Sequence, residues 1–162
     1  MTELNSNLQT SPIRIAALTE QDFEAWLDLW QGYLTFYETS LPLQITNSTW
    51  QKLMDSNTPV FGFGAFQEDS LEKNKLVGIV HTVIHPNTWN ATDCCYLEDL
   101  FVSESVRGQG IGRALIEHIY QFASEKNCNR IYWVTQDNNQ TARRLYDTLA
   151  TQTDMIQYRK DL

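Results

Sequence analysis

Apolar residues recur along the chain with two different periods, and the switches between them outline its elements. Ile13–Ala17 reads as a first strand. Thr19 and Asp22 have the spacing of a capping box, and Phe23, Trp26, Leu27, Trp30, Tyr33, Leu34 and Tyr37 follow at helical spacing. Ser48 with Gln51 is expected to cap a short second helix that runs through Met54. Val60–Gln67 and 76–85 read as two strands of an antiparallel hairpin across the polar loop 68–75, and 93–102 as a third antiparallel strand. A helix over 113–126, a strand over 130–135, a helix over 139–149 and a last strand over 155–160 complete the order. So long a crossover makes the strands around residues 98 and 132 parallel neighbours. The pattern predicts an α/β (α+β) chain with a mixed, mostly antiparallel central sheet and helices on both faces. Residues 1–11 read as a flexible tail and 12–162 as a single domain.

Between the strand 96–102 and the helix that follows lies Arg107-Gly108-Gln109-Gly110-Ile111-Gly112. Glycines at a strand-to-helix junction let backbone N–H groups converge on an anion with no Cβ in the way. The new helix adds unpaired amides and the positive end of its dipole. Two common phosphate motifs do not fit. A dinucleotide fingerprint would need glycine at 113, which is Arg113, and a P-loop would need Gly-Lys-Ser/Thr.

The stretch resembles the R-x-x-G-x-G/A signature of the GNAT acetyltransferase superfamily, read as Arg107, Gly110 and Gly112. About thirty residues on, Asn139-Gln140-Thr141-Ala142-Arg143-Arg144-Leu145-Tyr146 resembles that family's N-x-x-A-x-x-L/F-Y segment. The resemblance runs from about Ile13 to Tyr158 and is specific from Tyr96 to Tyr146. It implies acetyl-coenzyme A as acetyl donor, wedged between two parallel strands that splay apart. The donor's amides would pair with backbone near Leu100, Phe101 and Val102. Its diphosphate would sit on amides of Arg107, Gly108, Gln109, Gly110, Ile111, Gly112 and Arg113, with Asn139 a further polar contact. Arg143 or Arg144 could reach a phosphate, although a solvated helix face is the simpler account of either.

An amine acceptor must lose a proton before it attacks: with a pKa near 10.4, only about one lysine-like amine in a thousand is neutral at pH 7. Glu98 is the candidate general base. Strict alternation puts it on the face of Tyr96 and Leu100, with Asp99 on the other face. Partial desolvation would raise its pKa toward neutrality; the plain alternative is a structural ion pair, and Asp99 is the substitute base. The motif makes Tyr146 the candidate acid, a phenol placed to donate to the departing thiolate. A backbone N–H near Val102 would stabilise the oxyanion.

Within the superfamily, Tyr-Leu-Glu-Asp-Leu-Phe-Val followed by the glycine loop looks most like the diamine and polyamine acetyltransferases. That likeness implies a small cationic primary amine as substrate, with Glu98, Tyr37 and Glu38 as substrate contacts and Tyr33 and Phe36 beside them. The core stripe of the first helix is the simpler account of Tyr33 and Tyr37, and structural hydrogen bonding that of His81 and His85. Trp89 could wall the acceptor site. Two alternatives stay open: a protein or amino-acid acetyltransferase, and a non-catalytic acetyl-coenzyme A sensor. The family's Gly-Phe pair after its tyrosine is absent, replaced by Asp147-Thr148-Leu149-Ala150-Thr151. That puts the acceptor end and the last strand in doubt. A homodimer through the C-terminal strand is a further expectation from the resemblance.

Composition narrows the partners. A formal charge of −8 over 162 residues argues against nucleic-acid binding and is compatible with a cationic substrate. No run approaches the roughly 18 apolar residues of a membrane span, and the N-terminus has no leader pattern, so no membrane association is expected. Cys94, Cys95 and Cys128 read as packing thiols in a reducing, cytoplasmic setting. No Cys/His spacing matches zinc, so no metal is expected.

Overall fold

The computed structural model describes residues 12–68 and 74–162; the 1–11 tail and most of the 68–75 loop lie outside them. Thr19 and Asp22 form the expected N-terminal lock, with the Asp22 carboxylate accepting from the Thr19 amide at 2.7 Å and its hydroxyl at 2.8 Å. From it springs α1 (Phe23–Phe36), whose buried stripe is Trp26, Leu29, Trp30 and Leu34. The second helix, α2 (Leu43–Met54), starts five residues before Ser48. Pro42 opens it, as the pre-set φ of proline favours, and Ser48 lies inside it rather than capping it.

Five strands form one sheet in the order β1-β2-β3-β4-β5: β1 (Ile13–Ala17), β2 (Val60–Gln67), β3 (Lys75–His85), β4 (Cys94–Val102) and β5 (Arg130–Tyr132). The first three pairings are antiparallel, and β4 with β5 is parallel, joined by α3 (Ile111–Glu125). One face packs on α3, where Ile111, Leu115, Ile116, Ile119 and Ala123 meet Phe63, Val80 and Leu97. Each such side chain taken fully from water contributes about 1.5–3 kcal/mol. The other face packs on α1, where Trp26, Trp30 and Leu34 meet Phe66 and Ile79. Gly32 lets α1 come close to β4: a Cβ there would stand 2.8 Å from Phe101 Cζ.

Two expectations at the C-terminal end need correcting. The strand expected over 130–135 stops at Tyr132, because β4 and β5 pair only from Cys94↔Arg130 to Tyr96↔Tyr132 and then part. The final strand expected over 155–160 does not form: after α4 (Gln140–Leu149) the chain has no regular structure. Met155, Ile156 and Tyr158 are 75–89% exposed. With no strand beside them and no face to bury them, their strand propensity has nothing to act on.

Candidate active site

Beyond Tyr96, β4 runs on from Leu97 to Val102 with no strand paired along its β5 side. Leu100, Phe101 and Val102 therefore line the gap between the two parallel strands. Gly108 and Gly110 follow, with φ +79° and +80°, and a Cβ built on either would meet nothing within 4 Å. This is an open concavity that only glycine shapes without strain. The first bond within α3 is Ala114 N–H to Gly110 O at 3.0 Å. The amides of Ile111, Gly112 and Arg113 precede it and point out of the helix end. An unpaired strand edge leading into a glycine-lined helix terminus fits a ligand carrying both amides and a diphosphate. Among the described residues, no group of His, Cys, Asp and Glu is placed to hold a metal ion, and no helix is long and apolar enough to cross a membrane.

A β-bulge interrupts β4. The β3–β4 register passes from Thr82↔Leu97 to His81↔Asp99, leaving Glu98 as the extra residue. Strict alternation therefore fails here, and the expected separation of Glu98 from Asp99 is corrected. Leu97, Leu100 and Val102 face α3, whereas Asp99 and Phe101 face α1. Glu98 shares electrostatic surroundings with Asp99, His81 and Lys52. Two adjacent carboxylates thus meet on the α1 side. Burial, then the charge of Asp99, raises the Glu98 pKa above the usual carboxylate range although its side chain reaches solvent.

Tyrosines surround this pair. Burial, then the charge of nearby Asp99, drives the Tyr33 pKa far upward. Tyr37 lies 5.0 Å from Tyr33 between ring centres and is raised by burial and by Asp99. Tyr96 is raised by burial and then by Glu98, and it stacks on Tyr132 at 4.9 Å. From α4, Tyr146 packs edge-on against Trp133 at 5.4 Å. Burial, with a contribution from Tyr37, pushes its pKa up to about 12, so it keeps its proton at neutral pH.

Other residues singled out from the sequence have structural partners. The Arg107 guanidinium donates to Val102 O at 3.1 Å and lies 5.5 Å from the Phe101 ring centre and 5.9 Å from that of Phe36. Asn139 caps α4, accepting from the Ala142 amide at 3.4 Å. Arg113 reaches Thr148 at 2.7 Å, and Arg143 pairs with Asp137 at 2.6 Å. Arg144, Gln109 and Glu38 are exposed, Glu38 at the left-handed turn (φ 52°) after α1. Trp89 is 86% exposed, and His85 accepts from the Tyr132 hydroxyl at 2.7 Å. The sequence reading missed that Trp26, His81 and Asp99 form one hydrogen-bonded line. The available signal was a histidine inside the apolar run Val77 to Ile84, since a buried polar group requires partners.

Comparison with known proteins agrees with this geometry. The profile of the acetyltransferase (GNAT) family matches residues 19–150. The chain is 33% identical to a D-amino-acid N-acetyltransferase of Saccharomyces cerevisiae over 149 residues, covering 92% of this chain and 91% of that protein. A thialysine N-epsilon-acetyltransferase of Bos taurus is 36% identical over 66 residues, 41% of this chain and 38% of that one. Among solved structures, an aminoglycoside N-acetyltransferase in complex with CoA superposes with a TM-score of 0.79 at 16% identity, covering 95% and 97% of the two chains. A ribosomal-protein-alanine N-acetyltransferase from Brucella melitensis gives 0.75 at 20% identity, covering 93% and 100%. At those identities the structures share the fold.

Proposed function

We propose, from the premise that this chain belongs to the GNAT acetyltransferase family and is an acetyl-CoA-dependent N-acetyltransferase, that its acceptor is the primary amine of a small cationic molecule, a diamine or polyamine. The observation that carries this reading is the bulge, which gathers Glu98 and Asp99 on one face among Tyr33, Tyr37 and Tyr96. Paired carboxylates ringed by aromatic faces suit a ligand with two ammonium groups. Tyr37 and Glu98 are the inner substrate contacts, with Glu38 at the rim.

When bound, the donor supplies an acetyl thioester. The open glycines 108 and 110 and the amides of Ile111, Gly112 and Arg113 hold its diphosphate, and the β4 edge from Leu100 to Val102 takes its amides. Glu98 takes the proton from the acceptor ammonium; its raised pKa makes it a better base near neutrality than an ordinary carboxylate. Tyr146, protonated at working pH, donates to the departing sulfur. A backbone N–H near Val102 would stabilise negative charge on the donor's carbonyl oxygen.

A second reading is a D-amino-acid acceptor. The yeast relative's activity favours it, and so does Lys52, whose charge acts on Glu98 and could receive a substrate carboxylate. Coenzyme A release with a panel of diamines, polyamines, D-amino acids, thialysine, aminoglycosides and a lysine peptide separates the readings. Highest kcat/KM on a diamine is the expected result, and turnover confined to D-amino acids or to the peptide would overturn it. The free thiols Cys94, Cys95 and Cys128 support a cytoplasmic setting. A homodimer is also part of the proposal, supported by the open outer edge of β5 and the exposed Met155, Ile156 and Tyr158. Light scattering on the full chain and on a chain ending at residue 150 tests it, a monomeric full chain being the contrary result.

A further inference from the structure

We propose that Trp26 and His81 form a positioning pair that fixes the Asp99 carboxylate in the orientation the acceptor amine meets. An indole N–H only donates, and Trp26 Nε1 lies 2.9 Å from His81 Nε2. His81 Nε2 is therefore an acceptor, and the ring carries its proton on Nδ1. That nitrogen stands 2.9 Å from Asp99 Oδ2, so it donates to the carboxylate. A second proton on Nε2 would point at the indole N–H. The pair thus delivers a donor of fixed direction and fixed tautomer.

Packing holds the pair still. Trp26 is 0% exposed and His81 3%. The Trp26 indole stacks on Trp30 with ring centres 5.8 Å apart and lies 4.8 Å from the Trp50 ring centre, while Trp30 lies 5.4 Å from the His81 ring. His81 and Asp99 are also direct cross-strand partners at the bulge, so backbone register and side-chain bond reinforce each other. Asp99 itself is 15% exposed, and its charge acts on Tyr33. With Oδ2 engaged by His81, the remaining lone pairs are left for the incoming amine. His81 and Trp26 touch no substrate in this scheme; they act through Asp99. The inference rests on the acceptor reading above only in placing the amine at Asp99.

NMR of the full chain labelled with 15N-histidine tests the lock directly. His81 is expected as the Nδ1–H tautomer, and Trp26→Phe, which removes the indole donor while keeping an aromatic ring, should release it to a mixture. Kinetics on the best-turned-over amine test the consequence. His81→Phe should lower kcat/KM about 10- to 100-fold, the scale of a displaced reacting group, with the Kd for coenzyme A unchanged. His81→Asn, whose amide nitrogen occupies the Nδ1 position, should recover most of the loss. An Nε2–H tautomer in the native chain, wild-type kcat/KM in His81→Phe, or an Asn variant as impaired as Phe would each overturn the proposal. If His81→Phe does not fold, Trp26→Phe carries the kinetic comparison with the same expected direction. Turnover of D-amino acids alone would overturn the diamine reading instead, and every readout here could still be made on those acceptors.

Discussion

Replacing Gly110 with alanine separates the shape of the phosphate cradle from the stability of the fold. The residue has φ +80°, and an added Cβ meets no heavy atom within 4 Å, so the structural cost is confined to the backbone. An L-residue in the left-handed region costs about 1–2 kcal/mol. At about 2–4 °C per kcal/mol for a domain of this size, Tm should fall roughly 2–8 °C. Against the usual stability of about 5–15 kcal/mol, the chain remains folded at 25 °C. In the proposed cradle, the methyl group would occupy space assigned to the diphosphate. Each amide bond to a charged oxygen that it lengthens or removes is worth about 1.5–3 kcal/mol, or roughly 10- to 150-fold in Kd. Gly112→Ala is a comparison within the same cradle, because it keeps that residue's amide and its helical backbone. Its added Cβ would sit 3.4 Å from Leu145 Cδ2, an ordinary contact, in helical backbone that gains about 1 kcal/mol from alanine. Calorimetric titration with coenzyme A beside thermal melts reads both quantities. A Gly110→Ala chain with lowered Tm and wild-type coenzyme A affinity would show that the diphosphate lies elsewhere, and the catalytic assignments would fall with it.

Tyr146→Phe keeps the ring against Trp133. It should lower kcat about 10²- to 10⁴-fold while leaving coenzyme A affinity and Tm near wild type, and unchanged turnover removes Tyr146 from the mechanism. Glu98 works as a base only when ionised, and its pKa is raised. Wild-type kcat/KM should therefore decline, as pH falls, at a higher pH than an ordinary carboxylate near 4.3 would give. Glu98→Gln should abolish that acid limb and lower the plateau; an acid limb left in place points to Asp99. Native thiol titration at pH 7 should find Cys94 and Cys95 silent, since both are buried and burial pushes Cys95 up to about 11. Cys128 should react slowly, and three fast thiols would contradict the packing of β4. Gly32→Ala gains about 1 kcal/mol of helix propensity but drives a Cβ to 2.8 Å from the Phe101 ring. Overpacking of about 1–3 kcal/mol should give a net loss of up to about 2 kcal/mol and a raised acceptor KM, which melts and kinetics check together.

The parts of this molecule that local chemistry dictates were legible in the chain. The helical spacing of Phe23, Trp26, Trp30 and Leu34 became α1, and the glycines between Val102 and Arg113 became the open turn at the head of α3. Each of these depends on residues a few positions apart. The start of α2 was obscured because Leu43, Gln44, Ile45 and Thr46 lie almost entirely on the surface, where periodicity carries little information; only Thr46 is buried there. The alternating tail Met155 to Tyr158 shows the opposite failure, a local strand preference with no neighbour to pair with.

The facing of Glu98 and Asp99 departs from alternation for a more specific reason. A β-bulge is a mismatch in count between two strands, so β4 alone cannot reveal it. Only against β3 does Glu98 emerge as the residue without a partner, and only then do two neighbouring carboxylates turn toward one face. Setting like charges side by side raises the pKa of at least one, a cost that a purely structural strand would avoid. On Glu98, which reaches solvent, burial and then the Asp99 charge raise the pKa, while Asp99 is secured by His81. In the proposed mechanism the same irregularity divides the labour: it places one carboxylate in a hydrogen bond to His81 and leaves the other to exchange a proton. Alternation fails where the proposed acceptor reading uses two carboxylates on one side, as expected of a functional site that breaks a local rule.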